Sequence, residues 1–203
     1  MADYLSFFEW GVAMRPLAKQ AVSGDKYLIT PSPDGVLVAV LDGLGHGEEA
    51  ARASEIAVAT LEKNAHQSLT SLFAICHAAL PKTRGVVMSV ASFDMRNRTM
   101  SWLGVRNVEG VLLRARGDVR PPRENLLLRA GVVGYQIPGL RPSVVPVMDG
   151  DLLALATDGI RGAFTEALSP AYPPQQSADR ILADFGRETD DALVLVLRFR
   201  GKE

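Results

Sequence analysis

Short apolar runs separated by polar turns dominate this chain, and they set the expected elements. Tyr27 to Thr30, Gly35 to Asp42, Gly85 to Asp94, Arg98 to Val105, Val108 to Ala115, Ser143 to Met148, Asp151 to Thr157 and Asp191 to Phe199 all read as β-strands. That is too many strands for a helical bundle. Asp34-Gly35 and Asp149-Gly150 fall between extended segments, and Asp-Gly readily takes the positive φ angles of tight hairpin turns. The sheets are therefore expected to be mostly antiparallel.

Three stretches change to the helical period. From Glu48 to Lys63, Ala50, Ala53, Ala57 and Leu61 form a narrow stripe of small residues that lets a helix approach a sheet closely. From Leu69 to Leu80 the apolar positions Leu69, Leu72, Phe73, Cys76 and Leu80 share one face. A third segment carries Ala178, Ile181, Leu182 and Phe185, with Ser177 expected as its cap and Asp179 favouring its dipole. Thr30 to Asp34, Arg114 to Asn125 and Thr165 to Gln176 read as surface loops. No internal repeat or low-complexity tract interrupts the pattern. Two groups of strands with helices between and after them predict a layered α+β sandwich, with residues 1–203 as a single domain.

Composition narrows the functional classes. The 203 residues hold 22 Lys and Arg against 23 Asp and Glu, a net charge of −1, and 47% are hydrophobic. A core can form without disulfides or structural zinc. Near-neutral charge lacks the clustered basic field of a nucleic-acid binder, so no nucleic-acid partner is expected. The longest apolar runs, Val36 to Leu41 and Ala192 to Leu197, fall far short of the roughly 18 residues of a membrane-spanning helix. Met1 to Trp10 carries Asp3, Glu9 and aromatics rather than an export signal, which points to the cytoplasm. The single cysteine, Cys76, excludes an internal disulfide or a multi-cysteine metal site, and its helical position makes it a core residue.

Several aspartates stand at the ends of the strand-like runs. Asp42 follows Val36 to Leu41, Asp158 follows Leu152 to Thr157, Asp190-Asp191 precede Ala192 to Leu197, and Asp25 precedes Tyr27 to Thr30. If these ends meet at one edge of the sandwich, four carboxylates converge with no arginine cluster to compensate them. Such groups repel and rise in pKa unless a cation is present. Oxygen-only ligation selects Mg²⁺ or Mn²⁺ over zinc. Two such ions about 3.5–4 Å apart favour phosphoester hydrolysis. Asp-Gly is equally a common turn, which suits Asp34-Gly35 and Asp149-Gly150; for Asp42 and Asp158, spacing alone leaves both readings open.

The segment Gly43 to Gly47, G-L-G-H-G, lacks the Lys-Ser/Thr of a P-loop and the spacing G-x-G-x-x-G. It reads better as a glycine-rich turn that brings backbone close to a metal, with the Gly43 carbonyl as a candidate ligand. His46 is either an acid, base or phosphate contact, or an exposed loop residue.

In order, S-G-D at Ser23 to Asp25, L-D-G-L-G-H-G at Leu41 to Gly47, A-T-D-G-I at Ala156 to Ile160 and T-D-D-A-L at Thr189 to Leu193 resemble the PPM-type metal-dependent serine/threonine protein phosphatases. The likeness is to the small bacterial sporulation and stress-response branch, and Gly131 to Ile160 is similar to it as well. The resemblance implies a four-layer α-β-β-α sandwich of two mostly antiparallel sheets flanked by helices, with two Mn²⁺ or Mg²⁺ ions at one end. It assigns Asp42 as the bridging ligand, the Gly43 carbonyl to one metal shell, and Asp25, Asp158 and Asp190 as terminal ligands, with Asp191 as the alternate to Asp190. Catalysis would run through a metal-activated water supported by Asp42 and Asp158, without a phosphoenzyme. The implied partner is a serine- or threonine-phosphorylated signalling protein, a stressosome scaffold component, met by a cytoplasmic monomer with no sensor or regulatory domain.

Two positions depart from the pattern. The family often has Gly-Asn where this chain reads Val105-Arg106-Asn107-Val108, and often Thr or Ser where Leu193 stands. Neither removes an implied ligand. Arg106 is read as a phosphate contact or a solvated strand residue, Arg15 and Arg84 are open in the same way, and the phosphate-binding residue stays unassigned. The departures also motivate an alternative, a catalytically inactive PPM-fold binding module in the same pathway. Hydrolysis of a small phosphorylated metabolite is a third reading.

Overall fold

The computed structural model describes residues 4–137 and 139–201. Met1 to Asp3 of the N-terminal stretch, and residue 138 within Gly131 to Ile160, lie outside the described residues. A 3-10 turn (Tyr4–Phe7) leads into β1 (Phe8–Arg15), β2 (Asp25–Ser32) and β3 (Gly35–Gly43). Then come α1 (Glu48–Lys63), α2 (Leu69–Ala79), β4 (Val86–Asp94), β5 (Thr99–Val105) and β6 (Glu109–Leu113). The chain continues through β7 (Arg123–Asn125), β8 (Leu128–Arg129), β9 (Ser143–Pro146), β10 (Leu152–Ala156), α3 (Phe164–Ala167), α4 (Pro174–Phe185) and β11 (Ala192–Phe199).

The strands form two sheets. One has the order β1-β11-β10-β6-β7, and the other β2-β3-β4-β5-β8 with β9 also paired to β5. Among the described residues only β5 and β8 pair in parallel, so the expectation of mostly antiparallel sheets holds. The burial of β3 explains the layering. Val36, Val38 and Val40 point between the sheets, against Leu153, Leu155, Leu193, Leu195 and Leu197. Leu37, Ala39 and Leu41 point the other way, into the layer of α1 and α2. Because both faces are covered, the run shows no polar alternation. Ala154, Ala156, Val194 and Val196 pack outward against Phe164, Ala178 and Ile181 of α3 and α4, which completes the α-β-β-α sandwich. Cys76 is fully buried under α1, and burial pushes its thiol up to about 12, so it is an inert core residue.

Several details correct the expected elements. β1 was not anticipated because Trp10 and Met14 are exposed apolar residues that blur the alternation. Two short strands, β7 and β8, and the one-turn α3 fall where loops or nothing was expected. Ser177 does not cap α4: the helix starts at Pro174, whose missing N–H suits a first helical position, and Ser177 lies a turn inside. Asp179 is likewise past the first turn and accepts from Gln175 Nε2 at 2.9 Å. The β2–β3 hairpin turns on Pro33-Asp34, with Gly35 already paired to Ser32, so Asp34-Gly35 is not the turn centre. Gly150 does take a positive φ of 89°, but β9 and β10 lie in different sheets and form no hairpin.

Arg114, where the expected strand Val108 to Ala115 overlaps the expected loop Arg114 to Asn125, is buried. Its guanidinium donates to Asp151 Oδ2 at 2.9 Å and to the Pro146 carbonyl at 2.6 Å, and it pairs with Glu124. Asp151 also accepts from the N–H groups of Ala115 and Met148 at 3.0 and 3.1 Å. This buried ion pair, in which only the Arg114 Nε lacks a partner, anchors the start of β10, the end opposite Asp158.

Candidate metal centre

The site follows from strand parity. Asp42 continues the inward series Val36, Val38, Val40, and cross-strand pairing sets Asp25 opposite it on the same face. On the other sheet, Leu153 and Leu155 face inward, so Thr157 does too, and Asp158 lies one residue beyond. Leu193 and Leu195 face inward on β11, which puts Asp191 on that face just before the strand. Two glycines permit the crowding. A Cβ on Gly43 would lie 2.1 Å from the Ala50 carbonyl oxygen, and one on Gly159 would lie 1.9 Å from that of Asp191.

Asp42, Asp158 and Asp190 line a solvent-open cleft of about 300 Å³, together with His46, Arg106 and Asn107. Asp25 lies beneath it, 1% exposed, and accepts a 2.7 Å hydrogen bond from Thr157 Oγ1. Burial pushes the Asp25 carboxyl up to about 7; the Thr157 hydroxyl opposes this, and the charges of Asp191, Asp158 and Asp190 add to it. Burial, then the charges of Asp25, Asp158 and Asp190, push Asp42 up to about 8. Asp190 is also raised, by burial and by Asp158, while His46 acts in the opposite sense. Asp25, Asp42 and Asp190 therefore lie close enough to neighbouring carboxylates to be raised by them as well as by burial.

Asp190 and Asp191 part company. Asp191 is 3% exposed and spends both oxygens on backbone, accepting from Leu17 N–H at 2.7 Å and from Gly24 N–H at 2.8 Å. It ties the β1–β2 loop to the start of β11. Asp190 faces the cleft. The Gly43 carbonyl oxygen and Asp191 Oδ2 both lie 3.3 Å from the point a Cβ on Gly24 would occupy, so that carbonyl flanks the same buried corner. Asp34 and Asp149 stand apart from the site, paired with Arg96 at 3.3 Å and with Arg98.

Asn107, named above only as part of the Gly-Asn motif and given no role there, lines the cleft. Its Nδ2 donates to Asp158 Oδ2, and its buried Oδ1 has no partner. The signal for it is the Gly-Asn motif position itself, just past the end of β5. The neighbouring departure also has a reason: Arg106 has φ +62°, the left-handed region that glycine occupies without strain. Leu193 packs into the inter-sheet core, away from the cleft. Arg15 donates to the Arg187 carbonyl at 2.8 Å, and Arg84 to Glu49 at 2.6 Å. His46 is exposed on the cleft wall.

Among the described residues, no three Asp, Glu, His or Cys side chains close around a single point. Asp25, Asp158 and Asp191 lean instead on Thr157, Asn107 and backbone N–H groups. The donor set nonetheless fits hard divalent cations. It is all oxygen, burial and neighbouring carboxylates raise Asp25 and Asp42 to about 7 and about 8, and an unpartnered buried amide oxygen stands beside Asp158.

Two facing sheets between helical layers match the fold of the PPM-type phosphatases. More narrowly, the Stage II sporulation protein E (SpoIIE) family model matches residues 32–200, and the chain belongs to that family. The match includes Asp42, Asp158, Asp190 and Asp191 but begins after Asp25, whose place rests on its register with Asp42. A solved structure from work on the bacterial stressosome, a modular system adapted to control secondary messenger signalling, is 30% identical with a TM-score of 0.84. It covers 94% of this chain and 99% of its own. RsbX in complex with magnesium superposes with a TM-score of 0.83 over 95% of each chain, and at 18% identity the likeness is one of fold. The phosphoserine phosphatase RsbX of Bacillus subtilis (strain 168) is 25% identical over 99 residues, 49% of this chain and 50% of that relative. The chain thus matches half the length of this curated relative. No helix among the described residues is long and apolar enough to cross a membrane.

Proposed function

We propose that this chain is a divalent-metal-dependent protein serine/threonine phosphatase acting on a phosphorylated signalling protein of the stressosome type. The observation that carries the reading is the facing pair Asp25 and Asp42, both raised toward neutral pKa, with Asp158 and Asp190 on the same cleft. The similarity to a named phosphoserine phosphatase and to a stressosome structure supports the choice of substrate class.

In this reading Asp25, Asp42, Asp158, Asp190 and the Gly43 carbonyl hold two Mn²⁺ or Mg²⁺ ions, whose +4 charge balances four aspartates. Asp191, the alternate ligand, is assigned to the latch on Leu17 and Gly24 instead. Bound divalent ions supply Lewis acidity toward a phosphoryl oxygen and lower the pKa of water. The protein's own part is to place charge. Thr157 orients Asp25 from the opposite sheet, Asn107 orients Asp158, and the open cleft admits a phosphorylated side chain presented by a protein surface.

Phosphate release from a phosphoserine peptide, with Mn²⁺ and with a chelator, tests the reading. Release that requires Mn²⁺ is expected. No release with any divalent metal would favour the inactive binding module, although Leu193, one of its two motives, lies away from the cleft.

A further inference from the structure

β5 ends at Val105 and the chain must turn back to begin β6 at Glu109. The turn places Arg106 in the left-handed region, where a side chain with a Cβ is strained and glycine is not. The conformation is held in place, because Arg106 N–H donates to the Arg129 carbonyl at 2.7 Å, in line with the β5–β8 pairing. A strained non-glycine residue at the edge of an active-site cleft calls for a functional account.

Its side chain supplies one. Arg106 lines the cleft with Asp42, Asp158 and Asp190, and among the described residues it is the one lysine or arginine that does so. Its guanidinium makes no hydrogen bond or ion pair among the described residues, although carboxylates line the same walls. The other arginines the sequence offered are occupied, Arg15 by the Arg187 carbonyl and Arg84 by Glu49. The planar guanidinium fork matches two oxygens of a phosphate at once and stays charged at any working pH.

We propose that Arg106 clamps the phosphate of the substrate from the wall of the cleft that it lines together with the proposed ligands. The ligand class rests on the phosphatase reading, while the binding role rests on the free guanidinium and its fixed backbone. Asn107, the next residue, is already engaged with Asp158, so one turn holds both a carboxylate and the phosphate fork. Arg106 is a substrate-binding residue here, and the expected signature is in KM more than in kcat.

Three variants, Arg106→Ala, Arg106→Gly and Arg106→Lys, test this in the Mn²⁺-loaded full chain. Inorganic phosphate binding is read by calorimetry, phosphoserine-peptide hydrolysis by steady-state kinetics, and folding by Tm. Phosphate Kd and peptide KM are expected to rise about tenfold in the alanine and glycine variants, with kcat within about twofold and lysine intermediate. Arg106→Gly is also expected to melt above Arg106→Ala because it accepts the left-handed φ, so weakened binding there is not misfolding. Unchanged phosphate affinity and KM in both variants, or a wild-type protein that binds no phosphate, would overturn the clamp. A wild-type protein that binds phosphate through Arg106 but hydrolyses nothing would uphold the clamp and overturn the phosphatase reading. Hydrolysis with KM indifferent to Arg106 would do the reverse.

Discussion

Thr157 and Asp25 join the two sheets: the threonine hydroxyl donates to the Asp25 carboxylate at 2.7 Å while accepting from Leu193 N–H at 3.0 Å. One side chain thereby orients a proposed ligand on β2 from the end of β10 and satisfies a backbone donor of β11. Thr157→Val keeps the shape and removes the hydroxyl. It is expected to cost about 1–3 kcal/mol, because Leu193 N–H and Asp25 both lose a buried partner. Mn²⁺ affinity is expected to fall about 10–100-fold, as when the group orienting a ligand is removed. Urea denaturation and a Mn²⁺ titration check the two effects; a variant with unchanged Mn²⁺ affinity would remove Thr157 from the site.

The neighbouring aspartates 190 and 191 are expected to respond in opposite ways. Asp191→Asn disturbs the latch on Leu17 and Gly24 and is expected to destabilise the metal-free protein by about 1–3 kcal/mol. Asp190→Asn removes one of several repelling carboxylates and is expected to leave metal-free stability unchanged or higher, while reducing the thermal shift produced by Mn²⁺. Thermal melts of both variants with and without Mn²⁺ separate the roles; equal behaviour would contradict the division.

Raised carboxyl pKa values make the metal-free protein's stability fall as pH rises. Asp25 titrates near 7 and Asp42 near 8 in the folded state, against 3.8 for an ordinary aspartate. Between pH 4 and 8 the folded state therefore binds more protons than the unfolded state, so unfolding free energy declines through that window. Mn²⁺ competes with those protons, and its binding is expected to strengthen with pH and release them. Tm measured from pH 4 to 8 in chelator should decrease from this cause, and saturating Mn²⁺ should flatten the trend. A chelator profile as flat as the Mn²⁺ profile would contradict the raised values.

At the far end of β10, Arg114 holds the buried Asp151. Arg114→Ala leaves that carboxylate uncompensated and is expected to cost about 3–5 kcal/mol. Activity per folded molecule should persist, since Asp151 precedes β10 and the cleft lies beyond its other end. Chemical denaturation and activity normalised to the folded fraction provide the check.

Much of this fold was legible because runs such as Val36 to Leu41 are apolar on both faces and only a covered strand suits them. The helix Glu48–Lys63 was legible from its stripe of alanines. What escaped notice depends on tertiary partners. β1 carries exposed Trp10 and Met14 and is recognisable through its pairing with β11. The helix containing Ser177 begins a turn earlier than its apolar stripe suggests, because the preceding prolines can open a helix as well as break one. In the site, Asp42 and Asp158 announced themselves by ending apolar runs. Asp25 owes its position to register across β2 and β3, and the difference between Asp190 and Asp191 owes everything to which backbone N–H groups lie nearby. Local spacing carries none of that information.

The central claim is that these aspartates hold divalent ions for phosphoester hydrolysis. Its most direct test is Mn²⁺-dependent hydrolysis of a phosphoserine peptide by wild type and by Asp42→Asn, with Mn²⁺ binding to both measured by calorimetry. The account predicts that wild type binds Mn²⁺ and hydrolyses the peptide, and that Asp42→Asn loses activity beyond the roughly 10–100-fold of an outer-shell change, together with Mn²⁺ affinity. Equal activity in the two proteins, or Mn²⁺ binding indifferent to Asp42, would contradict it.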